Sequence, residues 1–191
     1  AFNSLKKAFG TEKSPAEQRQ IARDCFVYMA KSAAELLYGA SKPAFIRRQV
    51  RIEGMQILRD AVARGKGVIL VSAHFGNFPL MLARLSLEGI KTAVIMRPLK
   101  DKRLWDLFEK DRARLDIQTI LSIPRRECVA ESIRSLRQNR AMLIPLDQNF
   151  GTDGVYVDFF GSKAATATGP VVLARRTGAA IIPCFMVRQQ D

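Results

Sequence analysis

The residues best suited to catalysis are a histidine, an arginine and an aspartate that each follow a short apolar run. His74 is the single histidine of the 191-residue chain and comes shortly after the first of these runs. Arg97 and Asp147 follow two later runs in the same way. Together they could supply a general base, a guanidinium that binds anions and a hydrogen-bond acceptor. Taken singly, Arg97 and Asp147 are better explained as loop or capping residues, but the three together favour a site.

The elements that would position these residues alternate apolar strands with amphipathic helices. Strands are predicted over 68–72, 92–96, 117–121, 141–146 and 180–187, and helices over 78–88, 102–115, 126–138 and 169–177. This alternation predicts an α/β fold, with a mostly parallel central sheet that carries helices on both faces. Ligands of such sheets bind at the carboxyl ends of the strands, where His74, Arg97 and Asp147 are expected to meet. The run 155–160 follows turn residues and predicts a hairpin or an edge strand.

Helices are also expected before the first strand. Residues 14–17, Ser-Pro-Ala-Glu, have capping-box spacing with proline at the first helical position, and apolar residues then recur at helical intervals. We therefore predict an N-terminal amphipathic helix over 15–38, followed by a shorter helix over 54–64. The apolar stripe of the long helix is expected to join the core, although Phe26, Tyr28 and their basic neighbours leave contact with a membrane interface open.

Length and composition favour one domain. The chain has 191 residues, of which 48% are hydrophobic, enough for one substantial core, so we expect a single domain over 1–191. It begins without methionine and ends directly after an apolar run, so we expect a fragment that lacks the native N- and C-terminal ends. No window approaches the roughly 18 apolar residues of a membrane-spanning helix, and no signal peptide is visible. A soluble or peripheral protein is expected.

The net charge calls for an anionic partner. Thirty-one Lys and Arg against eighteen Asp and Glu give +13, which suits phospholipid headgroups, a phosphorylated glycolipid, an acidic carrier protein or nucleic acid. Aromatic residues are not interleaved with the basic clusters, so a nucleic-acid partner would rest on charge alone and is not expected. The signatures of α/β-hydrolases, ATP-binding loops and nicotinamide-binding turns are also missing, so no such cofactor is expected.

The cysteines give no sign of a metal or disulfide framework. Cys25, Cys128 and Cys184 are odd in number, far apart and flanked by apolar or helical sequence. We interpret them as reduced core thiols of a protein on the cytosolic side. With one histidine and no Cys-x-x-Cys motif, a metal site is not expected.

Several motifs occur in a fixed order along the chain. They are His-Phe-Gly-Asn-Phe at 74–78, Met-Arg-Pro-Leu at 96–99, Leu-Asp-Gln-Asn-Phe-Gly at 146–151, Val-Asp-Phe-Phe-Gly-Ser-Lys-Ala at 157–164 and Leu-Ala-Arg-Arg-Thr-Gly-Ala at 173–179. In this order they resemble the lipid A biosynthesis (late) acyltransferases, which belong to the lysophospholipid acyltransferase superfamily. The similarity extends over residues 3–188. It implies a glycerolipid acyltransferase-like fold and a single acyltransferase domain.

The resemblance also implies an activity. A fatty acyl chain would pass from acyl carrier protein, or from acyl-CoA, to a hydroxyl of a lipid A precursor or of a related membrane glycolipid or lysophospholipid. His74 would act as the general base without a covalent enzyme intermediate, and the acyl thioester would be a co-substrate, so no cofactor is implied. The protein would act at the membrane surface, on the cytoplasmic face of the inner membrane, either peripherally or anchored through a segment outside this sequence.

Individual site residues follow from the same motifs. Arg97 matches an arginine that is thought to bind the acceptor phosphate, which suits the bidentate geometry of a guanidinium. Asp147 matches an acidic position that opens a glycerophosphate-binding block in related acyltransferases. We expect Asn77, Arg125 and Gln148 to contribute to substrate binding as well.

The chain departs from the family pattern at one position. The resemblance predicts His-x-x-x-x-Asp/Glu, where the acid orients the imidazole, but Pro79 stands in place of that acid. Proline suits the first turn of a helix that starts at Phe78 and is capped by Asn77, yet it cannot orient a ring. Either another acceptor reaches His74, with Asp147 the first candidate, or the protein is a catalytically impaired relative that binds lipid or acts as a scaffold.

Four of the phenylalanines inside these motifs are Phe75, Phe78, Phe159 and Phe160. Large apolar side chains are usually buried, so we expect these four in the core. Lining of an acyl-binding groove is the alternative.

Overall fold

The computed structural model of the protein describes residues 2–151 and 154–189. The helices are α1 (Phe2–Phe9), α2 (Pro15–Gly39), α3 (Pro43–Gln49), α4 (Met55–Ala63), α5 (Phe78–Ser86), α6 (Lys102–Arg114), α7 (Arg125–Arg137) and α8 (Gly169–Thr177). The strands are β1 (Val68–Ser72), β2 (Thr92–Met96), β3 (Ile117–Leu121), β4 (Ala141–Pro145), β5 (Val155–Phe159), β6 (Ser162–Thr166) and β7 (Ala180–Pro183). Within this part of the chain, no helix is both long and apolar enough to span a bilayer.

Five of the strands form one parallel sheet in the order β3-β2-β4-β1-β7, and β5 pairs with β6 in a separate antiparallel hairpin. The predicted α/β class, with its mostly parallel sheet and N-terminal helix, is confirmed. The strand order places β1 between β4 and β7 and puts β2 on the far side of β4. All five strands of the sheet therefore deliver their carboxyl ends to the same edge.

Strand β1 carries apolar side chains on both faces of the sheet, and each face packs against its own core cluster. Val68 and Leu70 point into a core cluster that includes Leu58 and Leu80, whereas Ile69 points into the opposite cluster with Leu136. This alternation follows from the two-residue period of a strand. Helices thus cover both faces of β1. The strand that leads to His74 is therefore buried.

Helix α2 begins as predicted but packs differently. The Ser14 backbone N–H donates to the Glu17 carboxylate at 2.7 Å, and the Glu17 N–H donates to the Ser14 hydroxyl at 3.3 Å, so the capping box forms. The prediction that its apolar stripe joins the core is wrong for most of the stripe, because Met29 is 59% exposed and Leu37 53% exposed, whereas Leu36 packs against the main core cluster. The helix packs chiefly against α1 and α3 rather than on the sheet. The expectation of a buried Cys25 fails for the same reason, since this thiol is exposed on α2.

The phenylalanine predictions divide between two locations. Phe78 packs against the main core cluster, as expected. Phe75, Phe159 and Phe160 are more than half exposed, at 54%, 61% and 57%, so their assignment to the core is wrong. The hairpin that carries the last two lies apart from the five-stranded sheet, and every residue of β5 is exposed.

Candidate active site

The site forms where the neighbouring strands β1 and β4 end. Ser72 lies opposite Pro145 in the parallel register, and the Leu146 N–H donates to the Ser72 carbonyl at 2.9 Å. His74 and Asp147 each come two residues after this last pair. Their proximity is therefore a consequence of the strand register, although they are 73 positions apart in the sequence.

The Asp147 carboxylate holds His74 at two points. Its Oδ2 accepts from the backbone N–H of His74, and its Oδ1 lies against the ring Nδ1, each at 2.8 Å. An ionised carboxylate can only accept, so Nδ1 carries the hydrogen and Nε2 of the neutral ring is left with its lone pair. The Phe78 ring packs edge-on against the imidazole, with centroids 5.5 Å apart. The ring is thus oriented with a basic nitrogen free for a substrate.

The electrostatics of the site favour an ionised Asp147. Burial raises the pKa of this carboxyl, but hydrogen bonds from the His74 ring and backbone outweigh that effect, and its pKa falls below the ordinary value. The carboxylate therefore carries its charge at neutral pH, where it can stabilise a protonated imidazole. Both side chains remain partly open, at 42% exposure for His74 and 35% for Asp147, so a substrate can reach them.

The loop after His74 is held by a close backbone approach. Gly76 has φ +70°, in the left-handed region that favours glycine, and a Cβ at this position would overlap the Met186 carbonyl. The chain after β7 thus lies directly against the His74 loop. This contact explains why the motif needs glycine two residues after the histidine.

Asn77 also holds the loop, but not as predicted. It precedes α5, yet its side chain makes no capping hydrogen bond, so the predicted cap is wrong. Its amide instead donates to the Ser32 carbonyl at 3.0 Å and to the Glu35 carboxylate at 3.1 Å. Asn77 is only 3% exposed, which places its side chain in the interior, and its contact with substrate stays a prediction.

Pro79 stands where the family pattern predicts an acid. It occupies the first turn of α5, where proline is tolerated.

Glu35 joins this loop to the chain that follows β7. The Arg188 guanidinium makes two parallel hydrogen bonds to the Glu35 carboxylate, at 2.7 and 2.8 Å, and stacks over the Tyr28 ring at 5.0 Å. The hydrogen bond from Arg188 lowers the pKa of Glu35 and outweighs the effect of burial. Sequence analysis missed Glu35 and Arg188, because no local signal links residues 153 positions apart.

Arg97 lies on the same sheet edge as His74. It follows β2, which pairs with β4, so one strand separates it from β1. Two strand spacings correspond to about 10 Å, within reach of one substrate molecule. Arg97 is exposed, and no other described residue forms an ion pair or hydrogen bond with its side chain. Its guanidinium is thus available to an anionic group.

Arg125 and Gln148 lie along the same edge. Arg125 opens α7 after β3, and its guanidinium carbon lies 5.7 Å from the centroid of the Phe150 ring. Gln148 is exposed directly after Asp147. Five predicted site residues, His74, Arg97, Arg125, Asp147 and Gln148, therefore follow strands whose carboxyl ends share one edge of the sheet. Across residues 2–151 and 154–189, no cluster of three histidine, cysteine or acidic side chains could hold a metal ion.

Comparisons with known proteins show which sequences this chain resembles. The profile of the family described as bacterial lipid A biosynthesis acyltransferase matches residues 1–191. The chain is 33% identical over 134 residues to a phosphatidylinositol mannoside acyltransferase of Mycobacterium tuberculosis (strain CDC 1551 / Oshkosh), an alignment that covers 69% of this chain and 42% of the relative. It is 27% identical over 152 residues to a lipid A biosynthesis lauroyltransferase of Escherichia coli (strain K12), which covers 76% and 47% respectively. A palmitoleoyltransferase of lipid A biosynthesis from the same strain is 27% identical over 148 residues, with 76% and 47% covered. The chain thus spans less than half the length of these curated relatives.

Proposed function

The chain belongs to the bacterial lipid A biosynthesis acyltransferase family, and from this premise we propose that the protein transfers a fatty acyl chain from a thioester donor to a hydroxyl of a membrane glycolipid. The observation that carries the proposal is the double contact between Asp147 and His74. The donor is acyl carrier protein or acyl-CoA. The acceptor is a lipid A precursor or a related glycolipid or lysophospholipid, in keeping with the names of the relatives.

In this proposal His74 moves one proton in each half of the reaction. Its Nε2 takes the proton of the acceptor hydroxyl as that oxygen attacks the thioester carbonyl, and the new C–O bond gives a tetrahedral oxyanion. The C–S bond then breaks, and the imidazolium returns the proton to the departing thiolate. Asp147 keeps the ring in the required tautomer and stabilises its charged form.

Asp147 also replaces the orienting acid that is missing at Pro79. The family pattern places an orienting acid on the helix after the histidine, whereas here the acid comes from the end of the adjacent strand β4. The contact of 2.8 Å at Nδ1 provides the acceptor that a proline cannot. This geometry favours an active transferase over the alternative of an impaired lipid-binding or scaffolding relative.

The other predicted residues on this edge of the sheet bind the substrates. Arg97 pairs with a phosphate of the acceptor, because its guanidinium is exposed on the same edge as His74. Arg125 and Gln148 add contacts along that edge. The net charge of +13 draws the protein to the anionic membrane surface, which we place at the cytoplasmic face, where the protein binds peripherally or through an anchor outside this chain.

The test is acyl transfer by the intact protein, measured with labelled acyl carrier protein or acyl-CoA and a phosphorylated glycolipid acceptor. We expect His74→Ala to lower kcat by about a thousandfold, the range of a lost general base. Arg97→Ala should raise the KM for the acceptor by about tenfold, as expected for one lost charge-assisted contact. Arg64→Ala, an equally exposed arginine that follows α4, is the matched control and should change neither. Equal rates for wild type and His74→Ala would refute the assignment, and lipid binding without transfer by wild type would favour the scaffold.

A further inference from the structure

The hairpin β5–β6 exposes a row of large apolar side chains that the fold does not use. They are Val155, Tyr156, Val157, Phe159 and Phe160, with exposures between 41% and 61%. A strand in a soluble protein normally buries one of its faces, but β5 buries neither. Exposed apolar patches of this kind mark surfaces that contact another molecule or a membrane.

Aromatic rings concentrate at the tip of this hairpin. Phe159 and Phe160 meet edge to face with centroids 4.7 Å apart, and Phe160 also contacts Phe9 of α1 at 6.3 Å. We call Phe9, Phe159 and Phe160 the aromatic tip. Phenylalanine and tyrosine side chains in a polar setting are typical of segments that insert into the headgroup region of a bilayer.

The backbone conformation at Phe160 indicates that this ring is not there to stabilise the fold. The two-residue turn of the hairpin, Phe160-Gly161, has φ +48° and +65°. Asn-Gly is the preferred pair for such turns, whereas a bulky residue at positive φ is strained. A phenylalanine at this position is therefore unfavourable for the fold itself, which points to a use outside the fold.

The charge beside the aromatic tip is positive. Residues 2–13 and 155–166 together contain four lysines and two acidic residues. Lys6 and Lys7 are exposed on the last turn of α1, and the Lys13 ammonium lies 5.7 Å from the centroid of the Phe9 ring. Basic side chains that flank exposed rings complement an anionic lipid surface.

Basic and aromatic side chains also line a groove between α1 and α2. A groove of about 380 Å³ between the two helices is lined by Phe2, Phe26, Arg19 and Arg23, among others. The two arginines are four residues apart and so share one face of α2. Both phenylalanines are exposed, at 56% and 66%. The exposed rings and basic side chains of the aromatic tip thus extend along α1 to this groove.

The hairpin is also connected to the active site. The Phe150 N–H, three residues after Asp147, donates to the Ala165 carbonyl of β6 at 3.1 Å. The base of the hairpin is thus hydrogen-bonded to the loop that carries Asp147. If the aromatic tip bound lipid, the hairpin would therefore hold the loop of Asp147 near the bilayer.

From these observations we propose that the aromatic tip and the lysines of α1 dock on an anionic phospholipid bilayer and present His74 to acceptors within it. This inference deepens the proposed function, which needs a lipid acceptor. The docking itself requires no acyl donor. Its test can therefore succeed or fail independently of acyl transfer.

The experiment measures binding of the intact protein to vesicles of phosphatidylglycerol and phosphatidylcholine, and to vesicles of phosphatidylcholine alone. The variant combines Phe159→Ser with Phe160→Asn. We expect its affinity for the anionic vesicles to fall by about tenfold or more, because two apolar rings no longer insert. Its thermal stability should not fall, since both side chains are exposed and Asn suits the turn. Binding of the wild type should weaken as salt rises.

Two controls keep the result specific. Ile57→Ser removes a side chain of α4 that is 64% exposed and should leave vesicle binding unchanged. His74→Ala should bind vesicles like wild type while losing transfer, which separates docking from catalysis. Wild-type vesicle binding by the Phe159/Phe160 variant would overturn the proposal. A variant that keeps vesicle binding but loses binding to an acidic carrier protein would instead assign this surface to that carrier, and would equally overturn it.

Discussion

The carboxylate of Asp147 divides its two oxygens between two groups of His74, the backbone N–H and the ring Nδ1, each at 2.8 Å. The backbone contact fixes the start of the loop, and the ring contact fixes the imidazole within it. Because the strand register of β1 and β4 already aligns the two residues, the orientation is built into the sheet. The loss of an acid at position 79 is therefore compatible with an ordered base.

Restoring an acid at the family position tests whether the site is impaired. Pro79→Glu places a carboxylate in the first turn of α5, where the helix dipole favours it. We expect kcat to change by less than about threefold, because the Asp147 carboxylate already orients the ring. The measurement is steady-state acyl transfer by the two proteins. A rise of tenfold or more would mean that the native site is decayed and that Asp147 does not replace the missing acid.

The lowered pKa of Asp147 predicts how acid affects stability. Its carboxyl binds a proton less readily in the folded than in the unfolded state, so ionised Asp147 stabilises the fold above the ordinary carboxyl pKa of about 3.9. This contribution is lost as the pH falls through the lowered folded value. The difference in free energy of unfolding between wild type and Asp147→Asn should therefore shrink as the pH falls below about 4. Denaturant unfolding at a series of acid pH values measures it, and a difference that does not shrink as the pH falls from 5 to 3 would contradict the assignment.

The contact between Gly76 and the chain after β7 predicts a specific steric cost. Gly76 and Gly65 share φ +70°, but a Cβ would overlap the Met186 carbonyl at Gly76 and meet nothing within 4 Å at Gly65. Gly65→Ala should cost about 1 kcal/mol from backbone strain alone, whereas Gly76→Ala should cost about 3 kcal/mol or more. Thermal or denaturant unfolding compares the two. Equal losses would show that Met186 does not constrain the His74 loop.

Glu35 is expected to position the His74 loop from a distance. Glu35→Ala removes the partners of both Asn77 and Arg188, and leaves a buried amide with one acceptor fewer. We expect a loss of about 1–3 kcal/mol in unfolding free energy and a lower kcat with little change in KM. Glu53→Ala is the control, because Glu53 pairs with the exposed Arg51 and is itself 75% exposed. Stability lost without any change in kcat would assign Glu35 a purely structural role.

Much of the sheet could be predicted because its strands are short apolar runs bounded by turns. The bounds of β1, β2 and β3 agree with prediction. The strand β7 ends at Pro183 rather than at 187, because its last contact with β1 is the bond from the Cys184 N–H to the Val71 carbonyl. Periodicity could not show that α2 lies off the sheet, since an apolar stripe does not reveal whether a partner covers it.

The remaining helices and contacts depend on tertiary structure. Helix α3 has seven residues and two arginines in its last turn, and it is anchored by Ile46, which is fully buried. No local pattern of that length predicts a helix reliably. The pairing of His74 with Asp147 was accessible because strand ends share an edge. The bridge from Asn77 through Glu35 to Arg188 was not, because it joins three distant segments by side chains alone.

The most direct test of the proposed mechanism is a double-mutant cycle on the rate of acyl transfer, with His74→Ala, Asp147→Asn and the combined variant. If Asp147 acts only through the imidazole, Asp147→Asn lowers kcat by about a hundredfold or more, and the combined variant is no slower than His74→Ala. Losses that multiply in the combined variant, or a wild-type rate for Asp147→Asn, would contradict the claim that these two residues act as one base.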